Sequence, residues 1–297
     1  MRLPALLIEA FAAGPCAGNG AAVVRLECPL DDRILQGLAR TLNQSETAFL
    51  EPKGVAWGLR WFTPTCEVPL CGHATLAALL ALGHWGLLRP GEATSLQTLS
   101  GELRASLGSQ QTPGASPSGA IELPYGQLLE ADCPPYLCQL LRSQLAGEVQ
   151  LFWRSELGYS VGLLSPDAPL DQADGLAALM AGALSGPERQ GLVLMQALDQ
   201  HSALPRPTVS GKAANYQLRF FAPGLGIAED PVTGSAHALV APYWLELLGE
   251  NEVVGWQCSS RPGGMVLNPT APGWMRIQGS GHVLWDGVLN LPDGSPE

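Results

Sequence analysis

Charge is scarce in this 297-residue chain: Asp, Glu, Lys and Arg make up 14% of it, against 46% apolar residues. That balance excludes a disordered polyelectrolyte and points to a globular protein with a large core. Basic residues are the scarcer sign, 16 against 27 acidic ones, for a formal net charge of -11. They are scattered, and no run of them forms the stripe that a phosphate backbone requires, so a nucleic-acid partner is not expected. The acidity is read as serving solubility.

Long hydrophobic runs are also missing. The most apolar stretch, "TLAALLALGHWGLL", is broken by Gly83, His84 and Gly86 before it reaches the length of a membrane span. The opening "MRLPALLIEAFAAGPC" imitates a signal peptide, but Glu9 cuts its apolar centre short, and it reads as a first strand. Seven cysteines show neither a CxxC pair nor paired metal-ligand spacing. Reduced thiols in a cytoplasmic protein, without zinc or other metal, are therefore expected.

What the chain does contain is a repeat of itself. "LRWFTP" (Leu59 to Pro64) matches "LRFFAP" (Leu218 to Pro223). After linkers of unequal length come "EVPLCGHA" from Glu67 and "EDPVTGSA" from Glu229, with Glu, Pro, Gly and Ala in register. Both blocks lead into apolar helical segments, one from about Gly72 to Trp85 and one beginning near Gly234. Two aligned blocks in the same order imply two related halves. Around them lie short runs rich in apolar and β-branched residues, among them "ALLIEAFA", "GAAVVRL", "ETAFLE", "VQLFWRS" and "GLVLMQA", which read as strands. "DDRILQGLARTLN" reads as an amphipathic helix capped by Asp31 or Asp32, with Ile34, Leu35, Leu38 and Leu42 on one face. Each half is thus mainly β with one strongly apolar helix, and a sheet curled around that helix would bury it on most sides. The boundary is placed near Pro124, giving halves 1–124 and 125–297, with the last strand free to cross back. "GSQQTPGASPSG" reads as a flexible hairpin tip.

The mouths of the two apolar helices invite a ligand. A helix start presents unpaired N–H groups and partial positive charge, and small residues let an anion approach them. "CGHA" and "TGSA" both fit, so Gly72 and Gly234 are candidate binding positions; the plainer role is that they allow tight turns. Two halves facing each other would hold one substrate at these mouths. In "LNQSETAFL", Glu46 falls at the entry to a core strand, where desolvation would raise its pKa toward neutrality and suit it to be a base. A solvated strand-end glutamate is the alternative.

"LNQSETAFL", "LRWFTPTCEVPLCGHAT" and "LRFFAPGLGIAEDPVTGSAH" together resemble the phenazine-biosynthesis PhzF-like family, within the diaminopimelate-epimerase-like superfamily. The likeness runs from the first strand to "QCSSRPGG" and "MRIQGSG". It implies an α+β fold of two pseudo-symmetric mixed α/β barrels, each wrapped around a central helix, with the active site in the cleft between them. It also implies a homodimer and catalysis with no metal or organic cofactor. Carried onto this sequence, it makes Glu46 the general acid/base and His73 a group that contacts or polarises the substrate. Asp230 and Ser235 match the family's acidic and hydroxyl positions, and Gly72 and Gly234 the backbone facing the substrate. Where members read GNP, this chain has "GNG" at Gly18 to Gly20, which loosens a turn near Asn19. The superfamily's racemases use a cysteine at each mouth; here Cys71 is opposed by Thr233, too weak an acid, so a two-thiol racemase is disfavoured.

The expected function is therefore a cofactor-independent isomerase. Glu46 would move a proton between carbons of a small carboxylate-bearing substrate, while His73 and Asp230 orient it and set the protonation state of Glu46. The rival is a non-catalytic small-molecule-binding or scaffolding protein that kept the fold. A hydrolase is disfavoured because Ser235 lacks the G-x-S-x-G elbow. Phenazine synthesis itself does not follow, because fold and site outlive substrate choice.

Overall fold

The computed structural model describes residues 1–109, 116–145, 147–173, 175–198 and 206–291. The chain divides into two compact units, Met1–Glu122 with Gln278–Glu297, and Leu123–Ile277.

The first unit begins with β1 (Arg2–Ala10), β2 (Asn19–Arg25), α1 (Asp32–Leu42), β3 (Glu46–Lys53) and β4 (Ala56–Phe62). It continues through β5 (Glu67–Val68), α2 (Gly72–His84), β6 (Ala93–Thr98), β7 (Gly101–Leu107) and β8 (Ser118–Pro124). The "GSQQTPGASPSG" stretch falls partly outside the described residues; the flanking β7 and β8 pair antiparallel, Leu107 opposite Gly119. The long last strand, named β19 below, runs Trp274–Asn290 and pairs with both β1 and β8. The pairings β1–β2, β2–β3, β3–β4, β4–β6, β6–β7 and β7–β8 complete a ring of eight strands.

Inside that ring lies α2, every residue of which from Gly72 to Leu82 is buried. Such a helix has no polar face to show, and a closed sheet is the arrangement that covers it all round. Leu76, Leu79, Leu80 and Leu82 are each at most 1% exposed, and burial of a leucine side chain stabilises by about 1.5–3 kcal/mol. Outside the ring, α1 starts on Asp31, whose carboxylate accepts from Arg33 N–H at 2.8 Å, and it buries Leu35 and Ala39.

The second unit repeats this order. It has β9 (Leu128–Glu130), α3 (Pro135–Leu145), β10 (Val149–Ser155), β11 (Ser160–Leu164), α4 (Leu176–Ala183) and β12 (Leu192–Ala197). A small hairpin, β13 (Thr208–Val209) and β14 (Lys212–Ala213), precedes β15 (Tyr216–Ala222), β16 (Ile227–Asp230) and α5 (Gly234–Leu248). Then come β17 (Val253–Gln257) and β18 (Gly263–Ala271) before β19. The ladder β2∥β3, β3–β4, β4–β5, β4∥β6 and β6–β7 of the first unit recurs as β11∥β12, β12–β15, β15–β16, β15∥β17 and β17–β18. Within it α5 buries Gly234, Ala236 to Ala241 and Trp244. The architecture is thus two mixed α/β barrels, each wrapped around one central helix.

Two features depart from the sequence reading. Helices α3 and α4 had no counterpart in the expectation of one helix per second half; they pack Leu137, Leu141, Leu176 and Met180 with Phe152 and Phe221 into a second core outside the strands. Cys133 and Cys138 are joined as a disulfide, with Cα atoms 6.4 Å apart, so the expectation of seven reduced thiols is corrected for this pair. The start of α3 between them brings residues five apart together, a spacing that a search for CxxC does not flag. No helix among the described residues is long and apolar enough to cross a membrane.

Candidate active site

The mouth of α2 collects polar side chains from the ends of two strands and from the helix start itself. Glu46 opens β3, Asn19 opens β2, and Cys71 and His73 flank Gly72 at the start of α2. Glu46 Oε2 lies 3.1 Å from His73 Nε2, with the two side chains only 12% and 6% exposed. The approach is close but off axis: Oε2 is buried and accepts no aligned hydrogen bond from the described residues. Nε2 is instead aligned with Ser45 Oγ at 3.1 Å, and Ser45 in turn donates to Gly20 O at 3.0 Å. The other ring nitrogen, Nδ1, has Asn19 Nδ2 at 3.1 Å and Cys71 Sγ at 3.5 Å.

The electrostatics follow from that packing. Burial works against the Glu46 carboxylate, but the adjacent His73 more than compensates and holds its pKa below the ordinary value. The expectation that desolvation would lift Glu46 toward neutrality is therefore corrected; a buried acid beside a cation stays ionised. Burial also opposes charge on His73, and the neighbouring Glu46 carboxylate outweighs it, raising the histidine well above its usual range. The Cys71 thiol is raised by burial and by the neighbouring carboxylate, which makes it a neutral, unreactive thiol. The resting site is a buried carboxylate–imidazolium pair whose Oε2 faces the ring off axis.

Glu46, Cys71 and His73 also present ligand atoms within 4.8 Å of one another, so these residues could hold a metal ion. The sequence search for a second ligand pair missed this because Glu46 is distant in the chain. A metal there would need Cys71 as thiolate, against the raised pKa of that thiol, and would occupy both proton-handling groups.

The mouth of α5 is built differently. Asp230 ends β16, is buried, and accepts from Thr233 Oγ1 at 2.5 Å. Gln257 Oε1 accepts from Thr233 N–H at 2.8 Å, and its Nε2 donates to Asp230 O at 2.6 Å. Ser235 is half-buried with its Oγ 3.3 Å from the Tyr159 hydroxyl. Neither helix has a side chain at its N-cap, Cys71 or Thr233, bonded to its own first turn. The first-turn N–H groups at Gly72 and Gly234 are thus left without that usual acceptor.

The structure therefore brings Glu46, Gly72 and His73 together at one mouth, and Asp230, Gly234 and Ser235 together at the other. The sequence reading passed over Asn19, Ser45, Tyr159 and Gln257. Asn19 was weighed only as part of a loosened turn, yet it is 2% exposed and held in β2 opposite Ala10. Its signal was a polar residue between two glycines, of which Gly18 needs its positive φ of 73° and leaves no room for a β-carbon beside Ala10 O. The first carboxylate of each repeat is structural: Glu67 takes Arg60 in a two-pronged pair at 2.7 Å, and Glu229 takes Arg219 at 2.7 and 2.8 Å.

Two barrels on central helices, one mouth carrying a buried acid/base pair, define a mixed α/β protein of the PhzF and proline-racemase-like fold. The chain belongs to the phenazine biosynthesis-like protein family, whose model matches residues 8–134 and 193–283. It is 33% identical over 310 residues to a human phenazine biosynthesis-like domain-containing protein, covering 97% of this chain and 99% of that one. It is also 33% identical over 290 residues to an uncharacterized isomerase of Pseudomonas aeruginosa, covering 96% of each. The crystal structure of a PhzF-family protein from Enterococcus faecalis matches with a TM-score of 0.80 at 26% identity, over 98% of this chain and 100% of that one.

Proposed function

We propose that the protein is a cofactor-independent isomerase that moves a proton between carbons of a small carboxylate-bearing substrate. The observation that carries this reading is the buried Glu46 carboxylate, held ionised by His73 and with Oε2 lacking an aligned donor. Glu46 takes a proton from a carbon whose electrons can delocalise into a carbonyl or carboxylate, and becomes a carboxylic acid. It then returns that proton to a different carbon, so substrate and product have the same composition. His73, kept cationic by its neighbours, stabilises the negative charge that the substrate gains while the proton is on Glu46. Gly72 binds the substrate through helix-mouth N–H groups at the mouth of α2, and Gly234, Ser235 and Asp230 are the substrate-binding and orienting positions proposed for the mouth of α5. Family membership and the relatives named as isomerases support an enzyme of this class.

The reading includes a homodimer in the cytoplasm and no bound metal, which light scattering and metal analysis of the purified protein check. The central test is deuterium exchange. Cyclic amino acids and small unsaturated carboxylates are screened by thermal shift, and those that bind are followed by NMR in deuterated water. Exchange at a substrate carbon, lost in Glu46→Gln with the fold intact, is the expected result. Binding without exchange in the unaltered protein would instead indicate a non-catalytic binding protein.

A further inference from the structure

One pocket lies wholly within the second unit and away from the helix mouths. Along α5 a stripe at i, i+3, i+4 and i+7, made of Leu239, Pro242, Tyr243 and Glu246, lines a cavity of about 360 Å³. Small-molecule sites span about 300–1,000 Å³, so the volume suits one small ligand. The other wall is Tyr125, Leu128 and Trp153, from the segment ahead of β9, β9 itself and β10. Tyr243 and Glu246 stand about 14 and 18 Å along the helix from Gly234, so the pocket is separate from the mouth of α5.

The aromatic side chains of this pocket are held in place by the fold. Trp153 sits in β10 between Val161 of β11 and Glu130 of β9, and it is 8% exposed. Its ring meets Tyr243 edge-on with centroids 5.2 Å apart, and Tyr243 meets the buried Trp244 edge-on at 5.2 Å. Trp244 in turn stacks on the buried Tyr216 at 5.1 Å. Tyr243 is thus clamped between two rings and tied to the core. Tyr125 is placed by its own N–H, which donates to Gly273 O at 3.0 Å. An aromatic ring attracts a cation through its quadrupole, and rings already fixed lose little freedom on binding.

The charge of the lining has one sign. Glu246 is its charged residue, no Lys, Arg or His lines the cavity, and Glu246 makes no ion pair among the described residues. An anion would meet that carboxylate and electron-rich rings, and a neutral apolar molecule would leave the carboxylate unused. Leu128, Leu239 and Pro242 offer apolar carbon, which suits methyl groups better than N–H donors. We propose that this pocket binds a quaternary ammonium carried on a small, uncharged body. Its methyl groups pack on the rings and aliphatic carbons, and Glu246 at the rim balances its charge. The site is independent of the isomerase reading, which stands or falls on Glu46.

The test is an NMR titration of the full chain with choline and with 3,3-dimethylbutan-1-ol, which has the same shape with carbon in place of the charged nitrogen. Choline is expected to bind at least about tenfold more tightly, the share that attraction between cation and rings supplies. Tyr243→Leu keeps an apolar side chain and removes the ring, and should weaken choline about tenfold. Glu246→Lys, at an exposed position, reverses the charge of the lining; it should abolish choline binding and leave thermal unfolding little altered. That variant decides the matter if Tyr243→Leu does not fold. Glu46→Gln should bind choline like the unaltered protein, which keeps this site distinct from the acid/base pair. No saturable choline binding, or equal affinity for the two probes, would overturn the proposal. Choline binding unchanged in Glu246→Lys would overturn it as well, by placing the cation elsewhere.

Discussion

The two helix mouths share a backbone plan and differ in what they do with charge. At α2 the buried charge is concentrated on the pair Glu46–His73, while the framework ion pair Arg60–Glu67 is partly open to solvent, with side chains 35% and 22% exposed. At α5 the emphasis is reversed. The framework pair Arg219–Glu229 is buried at 7% and 8%, and Ser235, aligned with His73 in the repeat, lies beside the neutral Tyr159 hydroxyl. Each arginine also ties down the outer layer, Arg60 through Asp32 at the start of α1 and Arg219 through the carbonyls of Leu170 and Ala173 ahead of α4. A duplicated fold can thus keep one framework contact and let the adjoining mouth residues diverge.

This contrast yields predictions of decreasing size. The largest concerns activity: Glu46→Gln should abolish substrate C–H exchange, whereas alanine at Glu67, the framework carboxylate, should leave exchange within a few-fold of the unaltered protein. Equal losses would erase the distinction between reactive and framework acids. Urea denaturation sharpens the comparison of frameworks. Glu229→Leu removes the two-pronged carboxylate partner of the buried Arg219 and should cost about 3–5 kcal/mol. Glu67→Leu breaks a pair screened by solvent and should cost about 1 kcal/mol or less.

A third prediction concerns His237, which occupies at α5 the place of Thr75 at α2. It is fully buried beside Tyr216, whose hydroxyl is 2.9 Å from its Nδ1, and burial lowers its pKa to about 3. A histidine depressed on folding takes up its proton more readily when unfolded. Its contribution to stability is complete above the unfolded value of 6.5 and is lost as pH falls toward the folded one. Between those limits it should add roughly 1.4 kcal/mol per pH unit to the acid slope of unfolding. His237→Gln, followed by denaturation from pH 7 to 4, should flatten that slope; an unchanged slope would show that the ring is charged in the fold.

The smallest effects concern titration at the α2 mouth. Glu46 is lowered and His73 raised, so the pair stabilises the fold most between the ordinary carboxylate and histidine ranges. That stabilisation is lost as pH falls through the lowered acid or rises through the raised imidazole. Glu46→Gln should move the His73 titration, seen by ring NMR, downward. Asn19→Leu, which removes the Nδ1 neighbour at similar size, should alter the ring nitrogen shifts of His73 without unfolding β2. A chelator added to the purified protein should leave exchange unchanged, because the Cys71 thiol, raised by burial, works against a metal at this mouth.

Much of the fold was legible because its signals are local. Alternating strands, a capped amphipathic α1 and two helices with no polar face are patterns of neighbouring residues, and the matching blocks at Leu59 and Leu218 declared the duplication. Helices α3 and α4 escaped because short, partly exposed helices outside a barrel carry weaker periodicity. At the site, Glu46 and His73 came from a motif, but the direction of their pKa shifts did not. Desolvation can be anticipated from an apolar context, whereas the opposing charge comes from a partner brought alongside by folding.

What the amino-acid order determined alone was the pair of related halves, the burial of their central helices, and the residue types at each mouth. Only the tertiary structure decided that Asn19 and Ser45 flank His73, that Cys71 stays a protonated thiol, and that Tyr159 covers Gly191 to reach Ser235. The reason is one of range. Strand and helix patterning depends on residues within a turn or two, while protonation and hydrogen bonding depend on atoms 3 Å away in space but, as with Asn19 and His73, 54 residues apart in the chain.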